Sequence, residues 1–340
     1  MSDSTSKVLV IGGGISGLSC ASMLHESGID VCVLDRGYRI GGRCTTRRTH
    51  EGEVIADLGA PCFDADDPVF LNEVERWIGS GVCARWDGVG DSFVGVPTMD
   101  AVVDRMAQGV NVRSGCRVER VFHHDGAWVV EVERRDGARL TERCERIVLA
   151  THPREAARLI GEHSHTLSSM LGSVETRCVW VLVMRINDPL EGLPAMVDVG
   201  EVGDESEEII ARIIRDDHKP GRASETDSSM LVIHARKDWS AANRELERVE
   251  AQRVLTKHTR SLVSSMLGHD LDDQRIGDVQ VHRWGSAHPV EGLPQLCEAD
   301  DDARIVVCGD SFGWKGLSLG VQSAWLSGRA AAMALIETTI

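Results

Sequence analysis

The chain begins with a short polar stretch and then a regular hydrophobic pattern. Lys7–Ile11 is a short apolar run, Gly14–Ser27 spaces its apolar residues as an amphipathic helix, and Ile29–Asp35 is a second apolar run beginning after Gly28. That order predicts a βαβ unit. Its strands lack polar alternation, so they belong to a parallel sheet buried on both faces. Further on, "RVERVFHHDGAWVVEVERRDGARLTERCERIVLA" alternates apolar and polar positions around Asp125-Gly126 and Asp136-Gly137. Two such turns predict a β-meander, followed by a buried strand at Arg146–Ala150. From Thr151 to about Asp302 separate strands are expected at Cys178–Ile186, Glu208–Ile214, Met230–Ala235 and Val279–Trp284, with one long helical stretch from Ala241 to Leu267. Arg304–Cys308 is again apolar and is expected to return to the first sheet, with a final helix over Val321–Ile336. The expected fold is therefore α/β: a Rossmann-like domain with an inserted, mostly antiparallel α+β domain. The first would comprise 1–60, 100–152 and 303–340, the second 61–99 and 153–302. No repeat or low-complexity segment interrupts the pattern.

Length and composition narrow the class. At 340 residues the chain exceeds one ordinary core and suits two closely connected domains. Apolar residues make up 42% and charged residues 26%, as in soluble globular proteins, and no apolar run approaches a membrane span. The start, "MSDSTSK", is polar and leads straight into a strand, so no signal peptide is expected and the protein reads as cytoplasmic. A net charge of −16 argues against nucleic acid or an anionic membrane as the main partner. It does not forbid an anionic nucleotide, which local backbone amides and arginines can hold. The ten cysteines form no C-x-x-C pair and several sit in apolar strands, so they read as reduced core residues, not as metal ligands or disulfides.

The chemistry starts at the first turn. Gly12, Gly14 and Gly17 form G-x-G-x-x-G between a strand and a helix, and Asp35 closes the second strand. Glycines there let the backbone approach a pyrophosphate, the helix N-terminus offers amide donors, and Asp35 can accept from a ribose hydroxyl. This is a dinucleotide site. A second glycine-rich strand-to-helix turn lies near the other end, in "VVCGDSFGWKGLSLGVQSAWLSG".

Arg39-Ile40-Gly41-Gly42-Arg43 resembles the R-x-G-G-R motif of the flavin amine oxidase superfamily, and Asp57-Leu58-Gly59-Ala60 resembles its D-x-G-A segment. The resemblance implies FAD. It places Gly42 and Arg43 over the pyrophosphate and Gly59-Ala60 beside the flavin ring. Cys308-Gly309-Asp310 and the following helix would then lie at the ribityl chain and the pyrimidine edge. The FAD contacts it implies are Gly12, Gly14, Ile15, Ser16, Gly17, Asp35, Arg36, Gly42, Arg43, Gly59, Ala60, Val118, Gly309, Asp310, Leu317, Gly320 and Val321.

Over nearly its whole length the chain is similar to the bacterial renalases. The similarity rests on Gly41-Gly42-Arg43 with Thr45-Thr46, Val94-Gly95 with Pro97 and Met99, and Arg215 with Lys219-Pro220 and Arg222. It continues through His234-Ala235 with Trp239-Ser240, His282-Arg283-Trp284, and Ala324–Gly328. It implies a p-hydroxybenzoate-hydroxylase-type FAD domain and oxidation of 2- and 6-dihydro isomers of NAD(P)H, with hydride passing to flavin N5 and dioxygen reoxidising the flavin to give hydrogen peroxide. Such a transfer needs an oriented substrate more than a protein base. The candidates to provide that orientation are Trp284, His234, Trp239, Arg215 and His282. The chain departs from the renalase pattern at Pro61-Cys62, at Asp216 in place of asparagine, and at Ser311 in place of tryptophan. Two other readings stay open on the sequence: an amine oxidase or desaturase-like flavoenzyme, and a flavin-binding protein without turnover. Tyr38 is the chain's one tyrosine, so a cage of paired tyrosines cannot form.

Overall fold

The computed structural model describes residues 5–199, 208–222, 227–313 and 320–338. The chain opens with β1 (Thr5–Ile11), α1 (Ile15–Glu26) and β2 (Val31–Leu34), then β3 (Thr46–Arg48) and β4 (Val54–Asp57). Helix α2 (Pro68–Gly79), strands β5 (Cys83–Arg85) and β6 (Phe93–Gly95) and helix α3 (Asp100–Met106) follow. Next come β7 (Asn111–Arg113), the meander β8 (Cys116–His124), β9 (Ala127–Arg134) and β10 (Arg139–Leu149), and helices α4 (Pro153–Ile160) and α5 (His165–Gly172). A second group holds β11 (Thr176–Ile186), β12 (Met196–Asp198), β13 (Ile210–Arg215), β14 (Ser229–Ala235), α6 (Lys237–Ala242), α7 (Arg248–Leu267) and β15 (Ile276–Pro289). The chain then returns through β16 (Glu298–Asp300), β17 (Ile305–Val307) and α8 (Val321–Glu337).

The first sheet runs β16-β17-β10-β1-β2-β7, and its β17, β10, β1, β2 and β7 are mutually parallel. β10 has two partnerships along its length. Arg139–Cys144 pairs antiparallel with β9, and the later residues enter the parallel core between β1 and β17. The expected Asp-Gly turns make this possible: Asp125 and Gly126 both take positive φ, the geometry of a tight hairpin. The second sheet, β12-β13-β14-β11-β15, is antiparallel throughout.

Helix α8 lies directly on α1. A Cβ on Gly328 would stand 2.1 Å from the Ser16 carbonyl oxygen, so only glycine permits this crossing. Ser19 Oγ donates to the Trp325 carbonyl at 2.8 Å across the same contact, and Gly309 N donates to Ser327 Oγ at 2.9 Å. The two glycine-rich turns, some three hundred residues apart in sequence, are thereby neighbours on one sheet edge.

Each face of the second sheet has its own packing layer, because alternate residues of a strand point to opposite sides. Val179, Val181, Val183, Ile214 and Val232 share a core with α1, α2 and α8. Trp180, Leu182, Met184, Ile213, Leu231 and Ile233 pack instead under Ala251, Leu255 and Val263 of α7. We call these the inner and outer faces.

Two sequence expectations change. The single helix over Ala241–Leu267 is two helices, α6 and α7. Asn243 ends α6 by capping the Trp239 carbonyl through its backbone and side-chain amides, and its own carbonyl accepts from Trp180 Nε1 at 3.0 Å. Helices α4 and α5, read from sequence with the inserted domain, put Ala156, Leu159, Leu167 and Leu171 into the core of the first sheet. β16, also read with the insert, pairs antiparallel with β17 of that sheet.

Candidate active site

The first glycine turn and the R-x-G-G-R loop are held against each other. Gly41 N donates to the Gly13 carbonyl at 2.8 Å, and Gly14 and Gly41 form a parallel bridge. Asp35 ties down the same turn by accepting from Gly13 N and Gly37 N, each at 2.6 Å. α1 begins at Gly14 with no side-chain cap and no acid in its first turn, so its leading amides are available to an anion. Thr151 Oγ1 is buried here with no hydrogen-bond partner and Ser16 Oγ meets only the Cys308 thiol, although buried hydroxyls are ordinarily satisfied. Added Cβ atoms at Gly14, Gly309 and Gly320 would meet nothing within 4 Å. Open glycine faces, an orphaned hydroxyl and uncapped amides suit a bound dinucleotide, and these residues fit FAD.

Past that cradle, Arg43 and Asp310 form a bidentate pair, Nη1–Oδ2 at 2.6 Å and Nη2–Oδ1 at 2.7 Å. Arg43 Nη1 also donates to the Ala287 carbonyl at 3.0 Å. That carbonyl reaches Arg43 because β15 bulges: the Trp284–His288 span stands against only Arg177–Val179 of β11, leaving Gly285, Ser286 and Ala287 opposite Cys178 alone. Behind Arg43 runs the D-x-G-A segment. Ala60 N donates to the Arg43 carbonyl at 2.9 Å, and a Cβ on Gly59 would fall 1.7 Å from that oxygen. Only glycine fits there.

Trp284 joins this wall from the second domain. Its Nε1 donates to the Leu58 carbonyl at 2.9 Å, and its ring meets His282 edge-on with centroids 4.5 Å apart. His282 and His234 both stand opposite Val181, on its two sides, so the inner face carries His234, Val181 and His282 in one row and Trp284 in the next. Burial, with Arg212, His288 and Lys219 nearby, lowers His234 to about 3, so its imidazole is neutral; its Nε2 is buried without a partner. Burial also lowers His282, assisted by Arg248 and Arg47.

Two of the candidates do not join this group. Trp239 packs with the outer-face core beside α7. Arg215 stands in register with the outer-face residue Leu231. It is buried there, donating to the Leu190 carbonyl at 2.8 Å, to Asp217 at 2.9 Å and to Ser229. Strand alternation sends Arg215 away from the inner face, and α6 carries Trp239 under the outer layer. Of the remaining cofactor candidates, Ile15 and Val321 are buried at the starts of α1 and α8, Val118 is buried in β8 beside a bulge, and Arg36 is exposed. Leu317 lies outside the described residues.

The sequence reading missed one cluster. Asp57, Asp216, Lys219 and Arg222 form a buried four-charge network. Lys219 Nζ lies 2.9 Å from Asp57 Oδ2 and 2.7 Å from Asp216 Oδ1, both Lys219 and Asp57 side chains being fully buried. Arg222 bridges the same two acids. Burial alone would raise Asp57 and lower Lys219; the opposite charges reverse both, holding Asp57 below and Lys219 above their usual ranges. Asp57, the acid that Lys219 and Arg222 share with Asp216, lies over 150 residues before them in sequence. Local spacing has no way to signal that partner.

The comparisons with known proteins decide the family. A model of an NAD(P)-binding Rossmann-like domain matches residues 10–74, and a model of flavin-containing amine oxidoreductases matches residues 78–336, well over half the chain. The chain belongs to the flavin-containing amine oxidoreductase family. Curated relatives include human flavin-containing amine oxidase B, 48% identical over 52 residues, and an L-amino-acid oxidase of Siganus canaliculatus, 35% identical over 75 residues. Those matches cover 15% and 22% of this chain and only 10% and 13% of the relatives' lengths. Among solved structures, a protein described as a protoporphyrinogen oxidase from Exiguobacterium sp. 255-15 superposes with a TM-score of 0.74 at 10% identity, covering 99% of this chain and 100% of that one. Cyclohexylamine oxidase from Brevibacterium oxydans gives 0.66 at 12%, covering 98% and 99%. At such identities the likeness concerns the fold alone. The α/β architecture expected from sequence, a Rossmann-like FAD domain joined to an amine-oxidase-type domain, is the one observed. Among the described residues no helix is long and apolar enough to cross a membrane.

Proposed function

We propose that this flavoprotein is a renalase-like, FAD-dependent oxidase that takes a hydride from a small dihydronicotinamide, the 2- and 6-dihydro isomers of NAD(P)H being the class that fits best. The observation that carries the reading is the composition of the inner face. Beside the D-x-G-A wall it presents an indole fixed by its Nε1–H on Leu58, an edge-on imidazole, and a second imidazole kept neutral. A planar dihydropyridine needs flat contact surface and a few hydrogen-bonding groups to hold it, and its oxidation calls for no protein base. Trp284 and His282 supply the flat surface. His234, with an unpartnered ring nitrogen, supplies a hydrogen-bonding group that carries no charge at neutral pH. FAD, when bound, supplies the two-electron acceptor that removes the hydride, and dioxygen restores it with release of hydrogen peroxide. Arg43, Asp310, Ser16 and the glycine turns would hold that cofactor. The ten unpaired cysteines suit a reducing, cytoplasmic setting.

Oxidation of an amine is the second reading. The Trp284–His282 pair could flank a neutral amine as an aromatic cage does. Tyr38, 75% exposed beyond β2, takes no part in such a cage. Oxygen-electrode assays separate the two readings. The first expects one hydrogen peroxide per dihydronicotinamide isomer consumed and none with primary or secondary amines. Peroxide formed only with amines transfers the assignment to the second.

A further inference from the structure

The buried network of Asp57, Asp216, Lys219 and Arg222 joins two domains at one point. Asp57 ends β4, next to the cofactor cradle; Lys219 and Arg222 come from the turn after β13 in the second domain. Two further groups converge on Asp57 Oδ1: Thr46 Oγ1 at 2.7 Å and Met99 N at 3.2 Å. Every acceptor position of this carboxylate is thus used within the protein. Three residues later Ala60 binds the Arg43 carbonyl, and between them Leu58 binds Trp284. Gly221, inside the same turn, leaves no space for a side chain, since its Cβ would stand 2.6 Å from Val96.

Buried ion pairs are weak contributors to net stability, because desolvation offsets their attraction. A four-charge cluster without solvent access therefore calls for another role. Charge balance gives a second indication. Without Asp216, Asp57 would face two cations alone. Here two acids meet two bases, and the cluster is neutral as a unit.

We propose that Lys219 and Arg222 are positioning residues: by clamping Asp57 they fix the Asp57–Ala60 segment, and through it the Trp284 indole and Arg43, so that the second domain sets the shape of the FAD cradle. The proposal rests on the FAD reading, and the two fail differently: a wild-type apoprotein that binds no FAD ends that reading, whereas the clamp is tested by differences between variants.

The test uses three full-length variants, with FAD titrated onto apoprotein and tryptophan emission recorded before FAD is added. Asp57→Asn/Lys219→Met removes one acid and one base and keeps the cluster neutral. Leu255→Ala opens a cavity under the outer face, away from the cradle, and controls for general destabilisation. Thr46→Val keeps every charge and frees only one orientation of Asp57. The double variant is expected to bind FAD at least tenfold more weakly than Leu255→Ala and to shift tryptophan emission. Thr46→Val is expected to lose affinity two- to fivefold. The clamp is overturned if the double variant binds FAD within twofold of Leu255→Ala. Should the double variant not fold, wild-type affinity and emission in Thr46→Val overturn it equally.

Discussion

Arg43 and Asp310, 267 residues apart, meet as a two-bond ion pair that ties the first glycine loops to the turn before α8. Through this pair the two glycine-rich segments, distant in sequence, meet at one place in the fold. From sequence Asp310 reads as a ribityl acceptor; the structure shows the same carboxylate fixed by Arg43.

Breaking that pair has a defined consequence. Asp310→Asn and Arg43→Met should each weaken FAD binding by about tenfold or more, about 1.4 kcal/mol. The double variant should lose much less than the sum, because both singles remove one interaction. Titrating FAD onto the three apoproteins measures this, and strict additivity would mean that the residues act separately.

The α1–α8 crossing gives a stability contrast between two glycines. Gly328→Ala pushes a methyl group against the Ser16 carbonyl and Ser19, and should cost about 1–3 kcal/mol as overpacking. Gly172, at the end of α5, has nothing within 4 Å of its added Cβ. Gly172→Ala should be neutral or stabilising by about 0.5 kcal/mol, since it mainly restricts the unfolded chain. Thermal unfolding of both variants checks the difference.

Trp284 should matter for turnover more than for cofactor retention. Trp284→Ala removes both its ring and its hydrogen bond to Leu58, and should slow substrate oxidation at least about tenfold through lost orientation. Trp284→Phe keeps a ring and should fall between. FAD affinity should change by less than about threefold in Trp284→Phe, since Leu58 stays backbone-fixed between Asp57 and Ala60. Single-turnover rates set beside FAD titrations separate the two effects.

The pH dependence follows from buried histidines. Burial holds His234 at about 3 and His152 at about 4, with nearby cations adding to it, against an ordinary value of 6.5. The unfolded chain therefore binds protons that the folded one refuses between those values and 6.5. Stability rises with pH across that window and is lost as pH falls below about 6.5, by at most about 1.4 kcal/mol per unit for each full proton. Asp57, held below its usual 3.8, adds a further loss only at lower pH. Melting temperatures should stay nearly level from pH 7.5 to about 6.5 and fall from there to pH 5, and His234→Asn should flatten that fall.

Local patterns carried the fold. Apolar runs gave β1, β2 and β17, the Asp-Gly pairs gave the meander, and glycine spacing gave the dinucleotide turn, because each is set by neighbours in sequence. The site was readable only where a motif is contiguous, as in Gly41–Arg43 or Asp57–Ala60. The face Arg215 takes was not legible, because it depends on strand register, which the bulge between Ile210 and Arg212 shifts. Trp239 turns to the outer face on α6, which starts at Lys237, before the helix expected from Ala241. The four-charge network was invisible for a related reason: only the tertiary fold brings Asp57 to Asp216, Lys219 and Arg222.

The central claim is that this cradle holds an FAD reducible by dihydronicotinamide isomers. Anaerobic stopped-flow mixing of the FAD-loaded protein with 2- and 6-dihydro-NAD(P) tests it most directly, with flavin absorbance followed on the millisecond-to-second scale. Rapid, stoichiometric bleaching that reverses on admitting oxygen is the predicted result. A flavin that stays oxidised with both isomers, while an amine bleaches it, would contradict the account.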